Sequence, residues 1–254
     1  MKNKIKRAGK RPAVPLFLCL ILFLAWGLLY AQQTETGKYD ALAQKVEKKI
    51  GDEKKVEIEG LKVSNQDGVV TVEGVAKLLG SRIKAGEIAA KVDDVKKVNN
   101  QIAVTTGDVQ DGEIEAEIIA EIRQDLLRGP FDLVSVKSNH GFVRLQGIVR
   151  DTTIIQKAYD HAVWTRGVRE VRNDIKGASI SAGDERLRAA IYNRLAAEFP
   201  LYFSGNNQQI IIVVENSRVA LFGTVNSPVE KQKIESMIRS LNGVLSLNDQ
   251  LQAR

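Results

Sequence analysis

Few residues in this 254-residue chain have side chains suited to catalysis or metal binding, and their spacing argues against both. There are two histidines. His140 sits in Ser138-Asn139-His140-Gly141, a run with the composition of a tight turn. His161 lies in an apolar, helix-like stretch, and no acid or second histidine recurs beside it at ligand spacing. The acids Glu113, Glu115, Glu117 and Glu121 follow the start of a helical pattern, where negative charge suits the helix dipole. A solvated helix face accounts for them without calcium or catalysis. No G-x-S-x-G, phosphate loop or G-x-G-x-x-G element occurs. The chain is therefore not expected to be an enzyme, and neither a cofactor nor a metal is expected.

Charge narrows the function further. The formal net charge is +6, with 37 basic and 31 acidic residues. Six of the basic residues (Lys2, Lys4, Lys6, Arg7, Lys10 and Arg11) fall in the first twelve positions, where no acid occurs. The remaining 31 match the acids, so the rest of the chain is neutral and offers no basic cluster to displace counterions from phosphates. Nucleic acid is not an expected partner.

Residues 13–31 read AVPLFLCLILFLAWGLLYA, without a charge. As a helix this run would span about 28 Å, close to the thickness of a bilayer core. The basic tail 1–12 should stay cytoplasmic and the rest should be translocated. Two fates stay open: a membrane anchor, with Trp26 and Tyr30 near the outer interface, or a signal peptide cleaved after Ala31. The expected location is the bacterial periplasm, tethered to the inner membrane by 13–31 or released by that cleavage. The one cysteine, Cys19, lies in this run, so the exported part has neither a disulfide nor a thiolate metal ligand.

Beyond this segment the chain repeats itself. Gly68–Ala76 reads GVVTVEGVA, Gly141–Val149 reads GFVRLQGIV, and Ser217–Val225 reads SRVALFGTV. VKKVNNQI, VREVRNDI and VLSLNDQL follow, and in each copy a polar residue stands 26 positions after the glycine: Asn100 after Gly74, Asn173 after Gly147, Asp249 after Gly223. Three ungapped matches at one offset identify a triplicated unit. Each copy opens on a helix with an apolar stripe at four-residue spacing: Leu42, Val46, Ile50; Ile114, Ile118, Ile122; Leu187, Ile191, Leu195. Two strands joined by a tight turn follow, then a second helix and a last strand. In copy three Ser227, Pro228 and Glu230 predict the start of that second helix as a capping box. The expected fold is α+β: three tandem α-β-β-α-β repeats, each a small sheet with two helices on one face, after an N-terminal hydrophobic helix. The expected repeat bounds are 38–106, 111–177 and 183–254.

Alternation on the second strand makes one face apolar with a glycine in its middle, so Gly74, Gly147 and Gly223 are assigned to packing, each admitting a helix close to the backbone. Asn100, Asn173 and Asp249 are assigned to tying off a nearby turn or helix end. His161 falls in the column of Ile88 and Met237, at the edge of the core.

The strand V-x-L-x-G-x-V, a helix, then G-V-x-x-V-x-N-x-I resembles the BON domain, the family of OsmY-like periplasmic proteins. The resemblance covers about Tyr39 to Gln252 and is strongest in copy two, with Gly147, Gly167, Val168, Val171, Asn173 and Ile175. Copy one has Asp94 at the loop glycine and copy three has Asp249 at the asparagine. The resemblance implies an exported, non-enzymatic envelope protein in stress protection or envelope maintenance, with membrane phospholipid or envelope proteins as partners. The alternative is a scaffold subunit of an oligomeric envelope or secretion assembly; the oligomeric state is left open. Copy three adds Phe199 to Phe203, expected to close the first helix over the core. An alternative is a membrane or partner contact by Leu201, Tyr202 and Phe203, aided by Arg186, Arg188 and Arg194.

Overall fold

A computed structural model describes residues 41–179, 181–204 and 209–254. The basic tail and the hydrophobic segment 13–31 lie outside the described residues. Among the described residues no helix is long and apolar enough to cross a membrane.

Repeat one runs from helix α1 (41–51) through β1 (Ile58–Gln66), β2 (Val69–Ala76) and α2 (Leu79–Ala90) to β3 (Lys97–Asn100) and β4 (Ala103–Val104). Repeat two comprises α3 (Asp111–Asp125), β5 (Leu133–Asn139), β6 (Phe142–Val149), α4 (Thr153–Trp164) and β7 (Glu170–Gly177). Repeat three comprises α5 (Ala182–Glu198), a 3₁₀ turn (Pro200–Phe203), β8 (Ile210–Glu215), β9 (Arg218–Val225), α6 (Pro228–Arg239) and β10 (Ser246–Ala253). In every repeat the second strand is central, antiparallel to the first and parallel to the last. The order α-β-β-α-β predicted from the repeats is the order observed.

The hairpin turns are two residues long, and both residues have positive φ: Asp67 and Gly68, His140 and Gly141, Asn216 and Ser217. That backbone matches the right-handed twist of the flanking strands. The apolar stripe of each opening helix meets the apolar face of its sheet. Ile114, Ile118 and Ile122 bury against Val143, Leu145 and Val149, and Leu187, Ile191 and Leu195 against Val219, Leu221 and Val225. In repeat one Ala43, Val46 and Ile50 are the buried residues and Leu42 is only half-buried, one step around the helix from the expected stripe.

Each glycine of the column has a close neighbour, but that neighbour is not the expected helix. Gly74, Gly147 and Gly223 have φ of +146°, +157° and +131°. A Cβ on Gly147 would overlap the Leu133 carbonyl, and one on Gly223 the Gln209 carbonyl. On Gly74 it would lie 2.5 Å from the Ile58 side chain and 3.1 Å from the Glu59 carbonyl. The close approach is made by the hairpin partner and its lead-in, within the sheet. Alternation identified the face of the strand but carries no information about which backbone crosses beside it.

Adjacent repeats touch through specific pairs. Gly80 of α2 lies against the Trp164 indole of α4, where a Cβ would come within 2.5 Å of the ring, and Leu79 is buried in the core of repeat two. Between repeats two and three the Ile212 N–H donates to the Pro130 carbonyl at 2.6 Å. Phe131 meets Tyr192 edge-on at 5.7 Å. Arg150 stacks on Phe131 at 5.3 Å and pairs with Glu185 at 2.8 Å.

Gly147→Ala should destabilise the protein by more than about 2 kcal/mol in urea unfolding, because it combines overlap with a backbone carbonyl and a φ that alanine resists. A cost below about 0.5 kcal/mol would show that the sheet relaxes freely there.

Candidate functional site

The asparagine column sits beside the glycines and repairs what they disturb. Asn173 Nδ2 donates to the Ile155 carbonyl of α4 at 2.7 Å, while its Oδ1 accepts from the Ile175 N–H at 3.2 Å. Asn100 does the same with the Arg82 carbonyl of α2 at 2.6 Å and the Ile102 N–H at 3.2 Å. One amide thus ties helix to strand. Asp249 keeps the strand half, accepting from the Leu251 N–H at 2.8 Å, but has no proton to give a helix carbonyl. Its buried Oδ2 makes no hydrogen bond. Lys231, which occupies the column of Arg82 and Ile155 eight residues after the glycine, compensates with an ion pair to Asp249 at 3.7 Å and a bond to the Leu251 carbonyl at 2.6 Å.

A second column of contacts went unread in the sequence. Asp111, three residues before Ile114, accepts from the Ser138 hydroxyl (2.5 Å), the His140 N–H (2.7 Å) and the Gly141 N–H (3.0 Å). These donors, Ser138 first, hold its pKa down at about 2. Asp184, three residues before Leu187, grips the next hairpin through the Asn216 and Ser217 N–H groups at 3.0 and 2.9 Å. Their equal spacing from the apolar stripe was the available signal. Glu115 also departs from the expected solvated face: it accepts from the Ser138 N–H at 2.9 Å and pairs with Lys137 at 3.2 Å.

His140 is a turn residue with φ of +52°, as expected. His161 lines a cleft of about 760 Å³ between α2 and α4, with Lys84 and Glu87 on one side and Asp160 and Trp164 on the other. Its Nδ1 lies 3.1 Å from Glu121 and its Nε2 3.6 Å from Asp125, so both ring nitrogens face carboxylates of α3. The ring is a strut between helices. Among the described residues no cluster of three or more His, Cys, Asp or Glu is disposed to hold a metal.

In the aromatic run of repeat three, Tyr202 and Phe203 are buried in the core. That removes them from the contact surface considered for Leu201, Tyr202 and Phe203. The Tyr202 hydroxyl makes a short hydrogen bond to Glu230 and accepts from the Asn226 N–H at 2.8 Å. Burial first, then the Glu230 bond, pushes the Tyr202 pKa up. The Ser227 cap forms, accepting from the Glu230 N–H at 3.2 Å, but the Glu230 carboxylate turns to Tyr202 and Asn226. Arg188 does not flank this tip: it is buried, donating to the Ser179 and Val214 carbonyls, both at 2.7 Å. Leu201 is 74% exposed, and so is Val229, one residue before Glu230. Tyr202 and its bonds to Glu230 and Asn226 hold these two apolar side chains at one end of the repeat.

The BON domain profile matches residues 39–106, 110–178 and 183–254. The chain belongs to the BON domain family. Two solved structures of CdsD, a structural protein of the type III secretion system of Chlamydia trachomatis, are similar to it. One is 11% identical with a TM-score of 0.24, covering 82% of this chain and 91% of that one. The other, the CdsD C-terminal domain, is 11% identical with a TM-score of 0.23, covering 81% and 93%. Scores this low carry no argument about role. No curated protein matches the chain.

Asp249→Asn supplies the missing amide donor in the third BON repeat. It should stabilise the protein by about 1 kcal/mol in chemical denaturation. A loss of stability would assign the dominant role to the ion pair with Lys231.

Proposed function

We propose that this chain is an exported, non-enzymatic protein of the bacterial envelope whose BON repeats bind phospholipid surfaces or envelope partners in stress protection or envelope maintenance. The threefold BON match over most of the chain carries this reading, since BON domain proteins are envelope-associated and generally non-enzymatic. Residues 13–31 hold the repeats at the periplasmic face of the inner membrane, or release them if cleaved after Ala31. The repeats, with bounds 38–106, 111–177 and 183–254, are taken as the functional units.

Within repeat three the contact surface is the Leu201 and Val229 end. A solvated pair of large apolar side chains costs little in the free protein and gains on entering the boundary of acyl chains and headgroups. Cations lie close by: Lys233, ion-paired to Glu198 at 3.1 Å, stands 5.3 Å over the Phe199 ring, and Arg254 is near enough to act on the Tyr202 hydroxyl. They favour an anionic lipid surface, with an attraction that salt screens.

In co-sedimentation of residues 38–254 with vesicles, anionic lipid should raise the bound fraction and salt should lower it. Replacing Leu201 and Val229 together by Asp should weaken binding at least roughly tenfold while leaving the melting curve in place. Undiminished binding by that variant would remove this end of the molecule as the lipid contact.

A further inference from the structure

The three repeats end in equivalent outer strands, and two of these are protected against pairing with another chain. Repeat one's is broken: β3 stops at Asn100 and β4 resumes at Ala103, with Lys96 and Lys97 at its head. Repeat two's β7 carries Glu170, Arg172, Asp174 and Lys176, with Asp174 held by Arg144 at 2.6 Å and Arg172 at 3.1 Å. Interruption and charge are the usual devices that keep an open edge from recruiting a strand. Repeat three's β10 has neither. SLNDQLQA pairs with β9 without a break from Ser246 to Ala253, and it contains no Lys, Arg, Glu, Pro or Gly. Its one charge is directed inward: the Asp249 side chain is 9% exposed and ion-paired to Lys231. Ser246, Asn248, Gln250 and Gln252 are exposed, and Leu245, just ahead of the strand, is 69% exposed.

We propose that β10 is a self-association edge, pairing antiparallel with β10 of a second copy of this chain about a twofold axis through Asn248. An axis perpendicular to the sheet keeps both helix-covered faces on one side, so residues opposite one another must share a face. A pairing centred on Asp249 would set two carboxylates opposite each other, which is destabilising. One centred on Gln250 leaves Leu245 outside the ladder. Centring on Asn248 sets Ser246 against Gln250, Leu247 against Asp249, and the exposed Leu245 against Leu251. The ladder then ends at Leu251, whose carbonyl Lys231 already occupies. Neutrality makes the strand self-complementary, because no like charges meet on the open face. The pairing is separate from lipid binding: Leu245 donates its N–H to Ser217 at one end of β9, while Leu201 and Val229 lie by Asn226 at the other.

The test uses the full chain in detergent with Cys19→Ser as background. Directly opposite residues of an antiparallel pair have Cα atoms about 4.5–5.5 Å apart, within disulfide reach. Asn248→Cys should therefore cross-link to a dimer under mild oxidation, and Gln250→Cys alone should not. Mixing Ser246→Cys with Gln250→Cys chains should give the mixed dimer. By sedimentation velocity the Cys19→Ser chain should be dimeric, and adding Asn248→Lys should render it monomeric with an unchanged melting temperature. A monomer without Asn248→Lys, or cross-linking at Gln250 as efficient as at Asn248, would overturn the proposal.

Discussion

A positive φ in the middle of each central strand is the constraint on which this molecule is built. At Gly147 and Gly223 the hairpin partner's backbone or its lead-in passes so close that no side chain fits, and at Gly74 the Ile58 side chain and the Glu59 carbonyl crowd the same position. The disturbance falls on the neighbouring last strand too. Register sets Ile175 beside Gly147 and Leu251 beside Gly223, and in both cases the residue two positions earlier bonds that N–H with its side chain. In the first two repeats the same side chain reaches a helix carbonyl, so one amide fastens the second helix across the irregular point. The glycine and the asparagine, 26 residues apart, form a single device.

Variation between copies reaches into this frame. The third repeat exchanges the amide for Asp249 and Lys231, and the first places Asp94, with φ of +70°, where the others have Gly167 and Gly243. The frame tolerates these changes because each has local compensation: an ion pair in one case, a residue able to adopt left-handed backbone in the other. Among the described residues, other surface features are particular to one copy. The histidine strut, the exposed Leu201 and Val229, and the neutral β10 edge each occur in one copy. A fold triplicated for architecture carries its specificity in such single-copy decorations.

Much of the architecture was legible because it rests on local signals. Turn residues, the Ser227 cap and the apolar stripes each act within a few residues, and the constant 26-residue offset identified the repeated unit. What stayed hidden was the identity of distant neighbours. Periodicity placed the glycines on the covered face but could not name the Leu133 or Gln209 carbonyl beside them. Burial of Tyr202 agrees with the aromatics closing the first helix over the core and not with the alternative contact tip, and Arg188, offered as a flank of that tip, is buried as well; their partners lie 28 and 26 residues away. Buried polar groups are read correctly only once those partners are known. The candidate site suffered most: of Leu201, Tyr202 and Phe203 only Leu201 is exposed, and Val229 was indistinguishable from any first-turn helix residue.

The functional account rests on a membrane contact localised in the third repeat, and hydrogen exchange with and without anionic vesicles tests it most directly. Slowed exchange confined to peptides covering 199–204 and 226–230, with the first two repeats unchanged, is the predicted result. Protection centred on the cleft between α2 and α4, or none anywhere, would contradict it.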